Sequence, residues 1–141
     1  MIVGRDAQTF NCPKDGNQYF YLLDGKVKTA NWEQSAEDFI RWKTGNCFPT
    51  EQNAYFKLNQ DIVLTHLRQF IIANNEEISW KNRSSKYILC YKKNLDAIAV
   101  IPCVYETYGE FVFSSVEIAQ KAIDEVGKDN LKIYLFNIKE D

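Results

Sequence analysis

The sequence predicts an α+β fold in which antiparallel hairpins and a mixed or antiparallel sheet pack against one long helix and one or two shorter ones. Short aromatic and β-branched runs between turn residues predict the strands, and longer stretches with apolar residues at helical spacing predict the helices. A pattern of the form Phe-x-[Ser/Thr]-x-x-x-Ala occurs twice, at 48–54 and 113–119. Each copy places a hydroxyl residue where it can cap a new helix, so both halves carry the same helix-start signal.

Length and composition indicate a single globular domain, 1–141. A chain of 141 residues with 45% hydrophobic and 26% charged residues can bury a core of its own. Apolar runs stay well short of the roughly 18 residues of a membrane span, and the first residues lack the features of a signal peptide. We therefore expect a cytoplasmic protein without a membrane partner.

The first half of the chain predicts a hairpin followed by two helices. Asp24-Gly25 is a strong turn signal between strands over 17–23 and 26–31, because both residues tolerate positive φ. Ser35, with Asp38 three residues later, predicts a capped short helix. Thr50 then predicts the N-cap of a long helix over 51–73. That helix is apolar on more than one face, so it also offers a surface for a homo-oligomer.

The second half predicts strands over 85–91 and 95–104, with Pro102 indicating an edge position or a bulge. A short strand over 111–113 precedes a helix over 116–126, capped by Ser115 or, as a capping box with Glu117, by Ser114. Alternation over 131–138 predicts a terminal strand. This order is compatible with an internal repeat, 17–73 and 85–138, and equally with convergent capping.

Residues that would support catalysis or metal binding lack the necessary spacing. The four cysteines are widely separated and form no Cys-x-x-Cys pair, which predicts free thiols and no zinc site. His66, the only histidine, lies inside the long predicted helix without partners at the spacing of a triad. The glycines form no phosphate-binding loop. We expect no enzymatic activity, no metal and no cofactor.

Charge is distributed unevenly along a chain whose net charge is −2. Residues 81–93 hold five basic and no acidic residues, whereas 97–141 hold four basic and eight acidic ones. Segment 80–93 also carries aromatic residues, a combination typical of single-stranded nucleic-acid or nucleotide binding. The alternative is an ordinary hairpin with a basic turn and tyrosines in the core. The residues of this candidate nucleic-acid site are Trp80, Lys81, Arg83, Lys86, Tyr87, Tyr91, Lys92 and Lys93.

The string Gly45-Asn46-Cys47-Phe48-Pro49-Thr50 is followed by Ala54, and the stretch 113–123 is followed by Gly127. Both resemble a pattern in small uncharacterised proteins encoded by phages and prophages of low-G+C bacteria. In those proteins a hairpin and a tryptophan, here Trp32, often precede the first element. The resemblance implies a phage or mobile-element origin and supplies no established activity or functional residues.

We expect a non-enzymatic binding protein that acts by protein–protein interaction. In the setting that the resemblance implies, it would be a host-directed or counter-defence inhibitor, and its partner a host or bacterial defence protein. An acidic surface with exposed aromatic residues can compete for a basic surface on a target. The alternative is a single-stranded nucleic-acid or nucleotide binder that uses 80–93. The expected partner-binding residues are Tyr105, Glu106, Tyr108 and Glu110.

Overall fold

The computed structural model describes residues 12–76, 86–103 and 110–139. The chain divides into two compact units, 1–59 and 60–141, and the prediction of a single domain stays a prediction. The α+β class is confirmed, because helices accompany two separate antiparallel sheets of two strands each. In the described ranges no helix is both long and apolar enough to cross a membrane.

The order of elements follows the prediction over most of its length. A 3₁₀ turn (Lys93–Leu95) joins the strands of the second hairpin, and a short helical segment (Lys128–Asn130) continues as a π-helical turn (Leu131–Leu135). The main elements are β1 (Gln18–Leu23), β2 (Lys26–Asn31), α1 (Ala36–Lys43), α2 (Glu51–Asn74), β3 (Tyr87–Lys92), β4 (Ala97–Pro102) and α3 (Val116–Val126).

A two-bond backbone bridge joins the first hairpin to the start of α2. Phe20, in the middle of β1, exchanges N–H···O bonds of 2.9 and 2.8 Å with Phe48. The Asn46 side chain continues this pairing, donating to the Leu22 carbonyl at 2.9 Å and accepting from the Leu22 N–H at 2.6 Å. Thr50 follows as the predicted cap, its Oγ1 accepting from the N–H three residues later at 3.1 Å.

A buried polar network fixes α1 to the same hairpin. The Tyr19 hydroxyl donates to Asp38 Oδ1 at 2.5 Å and accepts from Arg41 Nη1 at 3.0 Å. Asp38, 2% exposed, also accepts from the N–H groups of Glu33 and Ser35, which completes the predicted capping box. Burial alone would raise the pKa of Asp38, but these hydrogen bonds outweigh it and lower the pKa from 3.8 to about 2.

The second unit contains the same kind of bridge. Tyr87, the first residue of β3, exchanges backbone bonds of 2.9 and 2.8 Å with Phe113. The Asn75 side chain bonds to the backbone on either side of Phe113. Ser115, and not Ser114, then caps α3, its Oγ accepting from the N–H three residues later at 3.1 Å. The duplicated origin of the two halves stays a prediction.

The core of the second unit forms where α2, α3, the inner face of β3–β4 and the C-terminal segment converge. Small residues at the start of α3 let it approach its neighbours closely, and Phe113 fills the space beside them. The fully buried side chains of this core are Leu67, Phe113, Ala119, Ala122 and Leu131.

The predicted terminal strand over 131–138 is wrong, because this stretch is helical up to Leu135. Its apolar residues fit the two-residue period of a strand and also the 3.6-residue period of a helix. Leu131, Tyr134 and Leu135 are spaced as on one helix face, and all three pack on the core. Periodicity does not discriminate in so short an apolar run. The predicted strand over 111–113 is reduced to the single bridge at Phe113.

Removal of either helix cap should destabilise the protein. We expect Thr50→Ala and Ser115→Ala each to lower the free energy of unfolding by roughly 0.5–2 kcal/mol, because an N–H of the first turn loses its acceptor. Urea unfolding measures the effect. Thr65→Ala, on the exposed side of α2, is the control and should leave stability unchanged or slightly higher. Unchanged urea midpoints in both cap variants would contradict the assignment.

Stability should fall in acid because of Asp38. Its folded-state pKa is depressed, so its contribution is fully present above pH 3.8 and is lost as the pH falls toward about 2. The shift corresponds to about 2 kcal/mol. We expect Asp38→Asn to be less stable at pH 7 and to show a shallower loss of stability between pH 4 and 2, the window set by the two pKa values. Parallel unfolding curves for variant and wild type would count against the network.

Candidate functional site

In the part of the chain that the structure describes, the outer side of β4 in the second hairpin is open. β4 pairs with β3 on one side, from Lys92 opposite Ala97 to Tyr87 opposite Pro102. On its other side, β4 has no backbone partner within the described ranges of the chain. The far side of β3 differs at its first residue, because Tyr87 is bonded there to Phe113 shortly before the chain enters α3. A further strand can therefore be added along β4 but not along the whole of β3.

The hydrogen-bond register identifies which groups point outward. The Cys103 N–H donates to the Lys86 carbonyl at 2.8 Å. In this antiparallel register, the backbone N–H and C=O groups of Ala99 and Ile101 therefore also point toward β3. The N–H and C=O groups of Ile98 and Val100 consequently face the open edge. Pro102 has the same parity, and its missing N–H would have faced outward. The prediction that Pro102 marks an edge position or a bulge agrees with its place at the end of β4, whose outer side has no strand partner among the described residues.

The edge strand carries no charge on any of its six residues. The side chains of Ile98 and Val100 pack on the core. The other face of β4 is apolar and half-buried, and the exposed Leu95 precedes the strand at 70% exposure. Proteins usually protect such an edge with charged residues, because uncovered strand edges accept further strands.

The first hairpin provides the contrast. Its second strand, β2, is also an outer strand of a two-stranded sheet. Unlike β4, it carries Lys26 and Lys28, both exposed. Lysine on an outer strand opposes the addition of another strand, so the two hairpins differ in the property that decides whether their edges can bind.

Four lysines surround the turn end of the second hairpin, and we call them the turn lysines: Lys92, Lys93, Lys128 and Lys132. Asp96 links two of them, with Lys132 Nζ at 2.9 Å and Lys128 Nζ at 3.7 Å from its carboxylate. Tyr91 donates to the same carboxylate at 2.5 Å. Hydrogen bonds from Tyr91 and Lys132 lower the pKa of Asp96 to about 2, so it stays ionised and neutralises only part of this positive charge.

The structure describes five of the eight residues of the predicted nucleic-acid site, and they differ in exposure. Lys86 is 3% exposed, and Tyr87 packs on the core with the rest of the inner face of β3. The Tyr91 ring lies 6.1 Å from the Phe136 ring, and its hydroxyl is bound to Asp96. Lys92 and Lys93 are exposed. The predicted nucleic-acid site and its alternative, an ordinary hairpin, both stay predictions. Trp80, Lys81 and Arg83 lie outside the described residues.

The expected partner-binding residues lie mostly outside the described ranges. Tyr105, Glu106 and Tyr108 fall in the stretch 104–109, and Glu110 is exposed and forms an ion pair with Arg68. The sequence did not single out Lys128 and Lys132, because they lie in its most acidic third. Only their contacts with Asp96 place them beside Lys92 and Lys93.

The single histidine and the four cysteines are the remaining groups with reactive side chains among the described residues. His66 is about half exposed, and its Nε2 lies 3.7 Å from a Glu125 oxygen. All four cysteines are free, as predicted. Cys47 lines an open cavity of about 430 Å³ in the first unit, and burial raises its pKa to about 11, which keeps this thiol protonated and unreactive at neutral pH. Within the described ranges, no three His, Cys, Asp or Glu residues are placed to hold a metal ion.

The comparisons with known proteins leave the function to be argued from these features. No protein-family model matches the chain, and neither a curated protein nor a solved structure matches it. A fold of this class does not by itself imply a function, which has to be inferred from the chemistry of a site.

Proposed function

We propose that this chain is a non-enzymatic binding protein that takes up an extended segment of another protein as a third strand along β4. The observation that carries the proposal is the uncharged open edge, with the N–H and C=O groups of Ile98 and Val100 directed outward. Backbone pairing at such an edge supplies affinity, and side chains on alternate positions supply specificity.

The outer face of the hairpin strengthens this proposal. Ile88, Cys90, Ala99 and Ile101 form a half-buried apolar surface that continues to the edge. A bound strand would place every second side chain on the same side as this surface, where uncharged residues fit best. The partner segment is therefore extended and free of charge over about five residues.

The narrower biological role rests on the resemblance alone. We propose a host-directed or counter-defence inhibitor because short sequence patterns in the chain resemble those of phage-encoded proteins. Occupation of a strand on a target protein is one physical route to inhibition, since it removes that strand from the target's own interactions.

A second candidate function is binding of single-stranded nucleic acid. The turn lysines favour it, because four cations are brought to one end of the hairpin. Sequence-tolerant binding of this kind also needs aromatic rings on which bases stack. Tyr87 and Tyr91 are engaged with the core and with Phe136, and Trp80 lies outside the described residues. Among the described residues, the features of β4 give protein binding the stronger support.

A charge placed on the edge strand should abolish binding. Ala99→Lys puts a lysine on the outer face of β4 without removing a core side chain, and charged edges oppose strand addition. Thr29→Lys on β2 is the matched control. We expect nuclease-treated lysate to yield proteins captured by the wild type and by Thr29→Lys but lost with Ala99→Lys, as identified by mass spectrometry.

Two results would overturn the proposal. Equal capture of the same proteins by Ala99→Lys would remove β4 from the interaction. Loss of all captured protein on nuclease treatment would favour the nucleic-acid function. Circular dichroism and urea unfolding of each variant establish that a negative result does not come from misfolding.

A further inference from the structure

The turn lysines lie at one end of the proposed binding edge. Lys92 is paired with Ala97, the first residue of β4, and Lys93 is in the turn that leads into it. Asp96 immediately precedes β4 and holds Lys128 and Lys132 at its carboxylate. The opposite end of β4 is Pro102, and the next residue, Cys103, is paired with Lys86, which is only 3% exposed. Among the described residues of this hairpin, the exposed lysines therefore lie at its turn end.

The spacing of a sheet brings this charge within reach of a bound strand. Adjacent strands lie about 4.8 Å apart. A residue of a bound strand beside Asp96 or Ala97 would therefore be within about the length of one lysine side chain of the turn lysines. Asp96 offsets one of the four positive charges. Asp129, the residue after Lys128, is exposed and adds a second negative charge. With both aspartates counted against the four lysines, the turn end keeps a positive excess.

On this basis we infer that the partner segment is an uncharged strand followed by acidic residues, bound antiparallel to β4 so that its C-terminal acidic end meets the turn lysines. This inference rests on the proposed function and adds the direction and the charge of the partner. Antiparallel pairing is the slightly more stable arrangement per residue, and it places the end of the bound strand beside the beginning of β4. Opposite charges at the edge of an interface fix the register and increase the association rate.

Synthetic peptides test the inference with the full-length protein. One labelled peptide has Thr-Val-Thr-Val-Thr-Val followed by four glutamates, a second has the four glutamates first, and a third has four glutamines in place of the glutamates at the end. Fluorescence anisotropy measures the affinity of each. We expect the C-terminal glutamate peptide to bind about tenfold more tightly than either of the others, as two or three exposed ion pairs would give.

Variants at the turn should move this preference in both directions. Lys92→Glu with Lys93→Glu should remove the tenfold preference, whereas Lys26→Glu with Lys28→Glu, the same charge change on β2, should preserve it. Asp96→Asn removes the carboxylate that engages Lys128 and Lys132, and it should strengthen binding of the C-terminal glutamate peptide severalfold. The preference should also shrink between about 50 and 300 mM salt, because the ion pairs are exposed.

The outcomes separate this inference from the proposed function. Equal, salt-independent affinity for all three peptides, still lost in Ala99→Lys, would refute the acidic partner and retain the β4 edge. Failure of every peptide to bind would refute both. Binding of single-stranded oligothymidylate that is lost with the Lys92 and Lys93 variants, without peptide binding, would assign the lysines to nucleic acid. Concentration-dependent dimers lost in Ala99→Lys, seen by sedimentation, would instead make a second copy of the chain the occupant.

Discussion

The two-bond bridge between a hairpin and a phenylalanine three residues before a helix is the constraint on which each unit depends. In the second unit, Tyr87 and Phe113 make this bridge, and Phe113 is completely buried at the same point. The backbone bonds fix the position at which the chain leaves the sheet, and Ser115 starts α3 two residues later. Because the bridge uses the far side of β3 at Tyr87, β4 is the strand whose outer side has no backbone partner along its length among the described residues.

The same constraint has a different surface consequence in the first unit. There the bridge from Phe20 to Phe48 is reinforced by the Asn46 side chain, and β2 is left as the outer strand. Its lysines protect it, whereas β4 contains only alanine, isoleucine, valine and proline. An unprotected edge strand promotes aggregation. The proposed binding role would explain why β4 lacks the charges that usually protect such an edge. The turn lysines place positive charge at one end of that edge, which would orient a bound strand that has an acidic end.

Local signals in the sequence predicted the elements that depend on local chemistry. Asp24 and Gly25 adopt the positive φ values, 52° and 73°, that their turn requires, and the caps at Ser35 and Ser115 are confirmed. The place of Pro102 at the end of β4 agrees with the predicted edge position or bulge. The C-terminal segment was mispredicted because the burial of Leu131 depends on long-range packing, which alternation over a short apolar run does not encode.

The candidate site was harder to predict than the fold, because it also depends on contacts between residues distant in sequence. Basic residues at 92 and 93 were visible in the sequence, but their neighbours Lys128 and Lys132 are brought there only by the contacts of Asp96. Tyr87 and Tyr91 lie on the same face of β3, because alternate residues of a strand share a face. That face proved to be the core face at Tyr87, since α3 and the C-terminal segment pack against it. Which face of a hairpin is covered depends on residues distant in sequence.

Backbone amide exchange measured by NMR tests the central claim, that β4 is an open edge, most directly. After correction for intrinsic rates, the amides of Ile98 and Val100 should exchange about 100-fold faster than those of Ala99 and Ile101, which bond to β3. Addition of a binding peptide should slow Ile98 and Val100 selectively. Equal protection of all four amides in the free protein would contradict the account, because it would mean that the outer edge of β4 is already paired.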